Sequence, residues 1–401
     1  MTTDAEAETL PYPLTPLDSL DESSAYDELR RRTPMTRVQT PYGEECWLAT
    51  RYEDVRTVLS DPRFSRARSA ERDEPRIGPD RSGLGLLSMD PPEHTLLRKA
   101  VAGAFTARRM EPLTKPIRST AEELADRMEE MEESEHPVDL VEHFANPLSA
   151  STICAFIGVP PDAHGMLHDW VKVVMGTAEL DEETSRRYAE ETFGYMMGLL
   201  RERTAEPTDD LISTIVRAQA EQDRMSEEQA VWLALGLLIA GYENVAMQLV
   251  NSVHLLLARP EGLAGPLANP ETAAHTVEEL LRLVPLLIVG GFPRVATEDV
   301  QVGGTLVREG EFVLPDLNAA NLDESMFANA GEFDPERSDR SHLAFGHGRH
   351  HCIGAPLARL QLKAGLETLA RRFPGMKRAD GALLWSHDRQ VRGPVEYPVK
   401  W

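Results

Sequence analysis

A chain of 401 residues with 41% hydrophobic content can bury a large core, so its domain count has to come from motifs rather than length. Its 42 Lys and Arg against 66 Asp and Glu leave a formal charge of −24, which argues against nucleic acid or an anionic membrane as the main partner. Cys46, Cys154 and Cys352 are odd in number and unpatterned in spacing, which argues against a disulfide framework.

Residues 1–10 are acidic and lack the basic start and apolar stretch of a secretory signal. No window reaches the roughly 18 consecutive apolar residues of a spanning helix, the best being residues 231–240. A cytoplasmic protein without a membrane anchor is expected. Strand-like segments at 36–40 and 46–50 flank Pro41-Tyr42-Gly43. Residues 67–89 are rich in Arg, Asp, Gly and Pro and read as irregular; the helix that follows, opening at Asp90-Pro91-Pro92-Glu93, puts His94 and Arg98 on one face. Apolar positions three and four apart then mark helices within 123–131, 144–157 and 183–203, with a connection at 175–183.

Ser226 and Gln229 form a capping-box pattern ahead of an apolar run that continues to Leu257, before Pro260. A helix of about 30 residues would be roughly 45 Å long and, apolar over much of its circumference, central and buried. Within it, Ala240-Gly241-Tyr242-Glu243-Asn244 joins two small residues to an acid and an amide. Glu279 and Arg282 lie three apart on a later helix, residues 300–307 turn at Gly303-Gly304, and residues 314–341 form a long meander. Irregular stretches of this length in a compact domain are usually functional.

The most informative segment is residues 345–354, Phe-Gly-His-Gly-Arg-His-His-Cys-Ile-Gly. Its glycines permit close backbone approaches, and Ala355-Pro356 begins a helix immediately after it. Free N–H groups and the helix dipole favour a thiolate at Cys352 over a thiol. Taken alone, the segment also fits a buried structural cysteine, or a zinc cluster of His347, His350, His351 and Cys352.

The complete pattern Phe-Gly-x-Gly-x-His-x-Cys-x-Gly at 345–354 resembles the cysteine-ligand loop of the cytochrome P450 family. The resemblance runs in order from about Tyr52 to Phe373. It implies a mainly α, single large domain with a small β region: a helix-rich body at about 52–285 and 353–373, and a β subregion near 36–50 and 286–314. It implies haem b, an iron protoporphyrin IX with Cys352 as the axial thiolate and metal ligand, seated on a loop that includes Phe345, Gly346, His350 and Gly354. Thiolate ligation pushes electron density onto haem iron and favours O–O cleavage. His94, Arg98, Arg294 and His350 match the family's propionate ligands, and Glu279, Arg282 and Arg337 match a buried structural network.

Residues 240–244 match the family's oxygen-activation segment, where Ala240 and Gly241 leave room for O2, a local helix distortion could admit water, and Glu243 is the acid. Asn244 stands where the family usually has threonine, and a carboxamide cannot relay a proton as a hydroxyl does. Water or a substrate hydroxyl in the relay, a substrate-orienting Asn244, or a less usual activation route would each account for it. The resemblance also implies a mainly apolar pocket lined by Leu84, Leu86, Leu87, Met89, Met175, Leu238, Ile239, Leu287, Ile288 and Val289.

The implied activity is insertion of one atom of O2, by hydroxylation or epoxidation, into a small molecule of the secondary-metabolite type such as a polyketide. Electrons would come from a ferredoxin and its reductase, docking on a basic patch of Arg349, Arg359 and Lys363. Peroxide-driven oxidation, oxidative coupling and non-catalytic haem ligand binding are the alternatives.

Overall fold

The longest element is the one with the clearest boundary signals. Ser226 Oγ accepts from the Gln229 N–H at 3.1 Å and Gln229 Oε1 accepts from the Ser226 N–H at 2.9 Å, closing both bonds of the capping box. In the computed structural model, which describes residues 9–21, 24–78, 85–132, 137–174, 181–221, 225–387 and 390–401, the helix so opened runs unbroken over Glu227–Leu257. The other helices that bear on the site are α1 (Glu93–Ala102), α2 (Thr114–Glu132), α3 (Asn146–Ile157) and α4 (Glu182–Ala205) before it, and α6 (Pro270–Leu283) and α7 (Ala355–Arg372) after it; the long helix is α5.

Apolar residues recur all round α5, and the packing uses them. Leu235, Leu238, Tyr242, Ala246, Leu249, Val250 and Val253 are buried in the main core, and α5 packs against α3, α4 and α7. By length and composition α5 could cross a bilayer, but most of its apolar window is buried inside the protein, the position of a core helix. Helix α7 lies between α5 and α2 and also contacts α6. The start of α7, which follows Cys352, is thereby fixed on both sides.

A mixed sheet of six strands stands beside the helices in the order β1 (Leu10–Pro11), β2 (Met35–Gln39), β3 (Cys46–Ala49), β6 (Phe312–Pro315), β5 (Arg294–Ala296) and β4 (Phe64–Ser65). Strands β2 and β3 pair antiparallel from Met35↔Ala49 to Val38↔Cys46, and β3 pairs parallel with β6 from Cys46↔Phe312. The two β regions read from the sequence are therefore one sheet, and it draws in β4 from the segment expected to be helical. Residues 300–307 form the expected hairpin, with Val302↔Thr305 at its turn. A further three-stranded sheet, Lys377–Arg378, Pro398–Lys400 and Val138–Asp139, was absent from the sequence reading.

The meander after β6 owes its order to buried cations. Arg282 makes two bonds to Glu279, at 2.7 and 2.9 Å, and donates to the carbonyls of Asn321 and Ala330. Arg337 reaches Glu279 at 3.2 Å and the Ala328 carbonyl at 2.6 Å. Irregular backbone can be buried only where its polar groups are satisfied, and here two guanidinium forks satisfy them.

Candidate active site

Residues 343–355 form a tight loop. Gly346 N–H donates to Leu343 O at 2.7 Å, Cys352 N–H to Phe345 O at 2.8 Å, and His351 N–H to Gly348 O at 3.1 Å. Gly348 has φ +70°, and a Cβ there would lie 2.6 Å from the Leu59 carbonyl oxygen, so only glycine fits. Phe345 lies under the Arg359 guanidinium, 4.6 Å from its ring centre.

The Cys352 thiol is accessible, yet its surroundings do not secure a thiolate. Burial among protein groups pushes its pKa up, outweighing the Gly354 and Ala355 N–H groups and the charges of Arg98 and Arg359, which pull it down. Among the described residues, no three His, Cys, Asp or Glu side chains converge as a metal cage.

Beside this loop lies a buried cluster of cations and imidazoles. The rings of His94, from α1, and His350 are 4.4 Å apart, centre to centre. Burial, and then Arg294 and His94, push the His350 pKa down to about 2. Burial, and then Arg66 and Arg349, push Arg294 down to about 9. His94 is likewise lowered, by burial and then Arg98. His94 Nε2, His350 Nε2 and both Nε and Nη1 of Arg294 are buried with no hydrogen-bond partner in the protein. Orphaned buried groups are rare, and each costs about 1–3 kcal/mol. A ligand bearing two carboxylates satisfies them and supplies the missing negative charge, so the residues fit the propionate edge of a haem.

Arg98 shares the α1 face with His94, but its Nη2 donates to the His351 carbonyl at 2.6 Å. It is tied to the cysteine loop and is outside the orphaned set. Arg66, missed in the sequence, belongs to that set: it is 1% exposed and its Nη2 is also unpartnered. Nothing local marks it, since Arg66-Ala67-Arg68 reads as an exposed run. The only signal is tertiary: Ser65 pairs with Val295, and one further step of that register sets residue 66 beside Arg294.

On α5, Leu237, Ala240, Gly241 and Asn244 form the stripe with accessible surface, while Leu238, Tyr242 and Glu243 are buried. Asn244 Nδ2 donates to the Ala240 carbonyl, one turn back, at 2.9 Å. No break occurs in α5 at this segment. Instead Ser149 Oγ of α3 donates to the carbonyls of Tyr242, at 2.5 Å, and Gly241, at 3.1 Å.

The small size of Gly241 serves helix packing: a Cβ there would lie 2.5 Å from Ile153 Cδ1. Gly241→Ala is expected to cost about 1 kcal/mol through that clash, and to stabilise by about as much in an Ile153→Ala background, where only the helix-propensity gain remains. Urea midpoints of the four proteins check the change of sign.

The expected pocket residues divide. Leu84 and Met175 lie outside the described residues. Leu86 and Met89 are half-buried against the main core, and Leu87 and Ile239 are half-buried. Leu238 and Ile288 are core residues at 1% exposure, and Val289 packs against the core cluster that includes Tyr12 and Leu314. On α5 the open stripe holds Leu237 in place of Leu238, a rotation of one helical position. Leu287 forms a bridge with Val391.

The basic patch is corrected too. Arg359 pairs with Glu278 at 2.7 Å, Lys363 with Glu367 at 3.7 Å, and Arg349 with Asp90 at 3.8 Å. Arg359 and Arg349 meet acids from distant parts of the chain, which the sequence could not reveal, whereas Lys363 and Glu367 are four apart on α7. Burial raises the Glu278 pKa, but hydrogen bonds from His342 and Arg359 outweigh it and hold the group at about 2.

The profile of the family described as Cytochrome P450 matches residues 271–377. The chain is 46% identical over 397 residues to mycinamicin IV hydroxylase/epoxidase of Micromonospora griseorubida, covering 98% of this chain and 99% of that one. It is 43% identical to nocardicin C N-oxygenase of Nocardia uniformis subsp. tsuyamanensis, with the same coverage. The solved structure of the mixed-function P450 MycG superposes with a TM-score of 0.93 at 46% identity, over 98% of this chain and 100% of that chain. A haem-thiolate loop and a cationic cradle on a fold shared from end to end lead to one conclusion: the chain belongs to the cytochrome P450 family and is a monooxygenase.

Proposed function

We propose that the protein hydroxylates or epoxidises a mainly apolar secondary metabolite at a haem b held by Cys352 and by His94, Arg98, Arg294 and His350. The observation that carries this reading is the set of orphaned donors on His94, Arg294 and His350 beside the cysteine loop. When bound, the haem supplies the iron at which O2 is reduced and split. The two relatives act, by their names, on mycinamicin IV and nocardicin C, which supports a natural-product substrate.

Glu243 is the proton donor in this reading, buried at 5% exposure one residue from the open stripe. Asn244 spends one amide N–H on Ala240 and keeps Oδ1 as an acceptor on the accessible face. An acceptor there can hold a water or a substrate hydroxyl, and either can carry the proton that a carboxamide cannot relay. A binding screen by the ferric haem spectrum, followed by product identification, tests the substrate class. For the relay, Asn244→Ala is expected to lower product per NADPH and Asn244→Thr to retain more of it. Unchanged coupling in both variants would remove Asn244 from oxygen activation.

A ferredoxin and its reductase are the proposed electron source. Arg359 and Lys363 keep 38% and 36% of their side-chain surface in solvent while their acids, Glu278 and Glu367, keep 20% and 17%. The outward charge is thus positive, although each pair is neutral. Lys363→Glu is expected to slow first-electron transfer from ferredoxin several-fold, with a weaker salt dependence, and to leave substrate affinity unchanged. Stopped-flow reduction at two ionic strengths measures this.

A further inference from the structure

We propose that Arg66 is a further anchor for the cofactor's carboxylates and that it ties them to the loop at Leu87. The inference rests on the reading of the cofactor as a haem with free propionates.

Arg66 Nε donates to Leu87 O at 3.1 Å. Its Nη1 serves Glu74 at 2.9 Å, Ser69 Oγ at 3.1 Å and the Pro293 carbonyl. That carbonyl immediately precedes Arg294, and the guanidinium carbon lies 5.7 Å from the Phe292 ring. Three acceptors crowd one nitrogen while Nη2, equally buried, has none.

A staple joining loop to strand is complete with Nε and Nη1 and does not need Nη2. A buried Nη2 is satisfied only if it has an acceptor to meet, and an anion is the strongest. Its surroundings name the anion: Arg66 is among the charges that act on both Arg294 and His350, each with orphaned donors of its own. Glu74 offsets one charge and is shared with Ser69, so two guanidinium groups remain side by side in a buried space. Such a pair is tolerable with a carboxylate between its members. The bond to Leu87 O adds a second consequence, because the turn Gly85–Ser88 packs on α5. Whatever displaces that turn moves the donor that faces the propionate.

The test uses ferric holoenzyme. Arg66→Lys keeps the charge and removes the fork. It is expected to shift the propionate bending band in the resonance Raman spectrum and to speed haem transfer to apomyoglobin roughly tenfold to a hundredfold, the effect of losing one charge-assisted hydrogen bond. The difference should vanish when both proteins carry haem dimethyl ester. An unmoved band with unchanged transfer overturns the proposal and leaves Arg66 as a loop staple. Should Arg66→Lys not retain haem, Glu74→Gln removes the competing anion with Arg66 in place: slower transfer than wild type supports the proposal, and equal or faster transfer overturns it. Mass spectrometry of the extracted cofactor separates the two readings, since a cofactor without carboxylates overturns the underlying one.

Discussion

Glu279→Gln is expected to cost about 3–5 kcal/mol of folding stability, enough to unfold the protein or leave it aggregation-prone near physiological temperature. Both carboxylate oxygens of Glu279 receive bonds from Arg282 and Arg337, and Oε1 also accepts the Asp334 N–H at 3.0 Å. All three side chains are less than 9% exposed. Glutamine matches the shape but removes the charge and offers an N–H where an acceptor is required, which leaves two buried guanidinium groups uncompensated. The carbonyls held by those groups, at Asn321, Ala328, Ala330 and Glu332, then lose their positioning, and the chain leading to the cysteine loop loses its order. Denaturant melts with urea measure the loss.

The pH dependence gives the same prediction a second signature. Burial raises the Glu279 pKa, but hydrogen bonds from Arg282 and the Asp334 N–H, with the Arg282 and Arg337 charges, hold it below its ordinary 4.5. A carboxyl depressed on folding contributes stability that is present above its unfolded value and lost as pH falls through the folded one. The variant should therefore show a shallower acid limb below about pH 4.5. A limb as steep as wild type, with little change in the urea midpoint, would mean the network contributes nothing.

What the sequence disclosed and what it withheld divide along physical lines. The cysteine loop and the start of α7 were legible because glycine placement, a capping proline and helix periodicity act over a few residues. The α5 boundaries were legible because a capping box is written within four positions. The pairing of β3 with β6 was not: Cys46 and Phe312 are partners across most of the chain, and no local preference names a distant strand. Arg359 looked free for the same reason, since Glu278 reaches it through tertiary packing; the Lys363–Glu367 pair, four apart on α7, was legible in the sequence. Arg66 carried no local signal because burial of a cation is decided by Glu74, Ser69 and the Pro293 carbonyl. Leu238 was assigned to the pocket where Leu237 is the residue on the open stripe, because the place of a helix in a sequence does not fix its rotation about its own axis to better than one position.

Cys352→Ser is the counterpart of Glu279→Gln: the fold should survive and the chemistry should not. The bonds that shape the loop are made by backbone, at Cys352 N–H to Phe345 O and His351 N–H to Gly348 O, and by Arg98 Nη2 to His351 O. None of these uses the sulfur, and a serine oxygen can accept from the Gly354 and Ala355 N–H groups that face it, so a urea midpoint close to wild type is expected. His94, Arg294 and His350 remain to hold the carboxylates, so haem should still be retained, at reduced occupancy. Turnover is nevertheless expected to fall to background. A serine hydroxyl stays protonated where even the more acidic thiol is pushed upward by burial, and a neutral oxygen cannot donate the electron density that favours O–O cleavage. The reduced carbon monoxide spectrum should move to that of a haem without a sulfur ligand, in step with the loss of product. Preserved turnover with an unmoved spectrum would mean that the sulfur is not the ligand. Haem loss without spectral change in the remainder would move the function of Cys352 from chemistry to retention, a function the geometry gives instead to the cationic cluster.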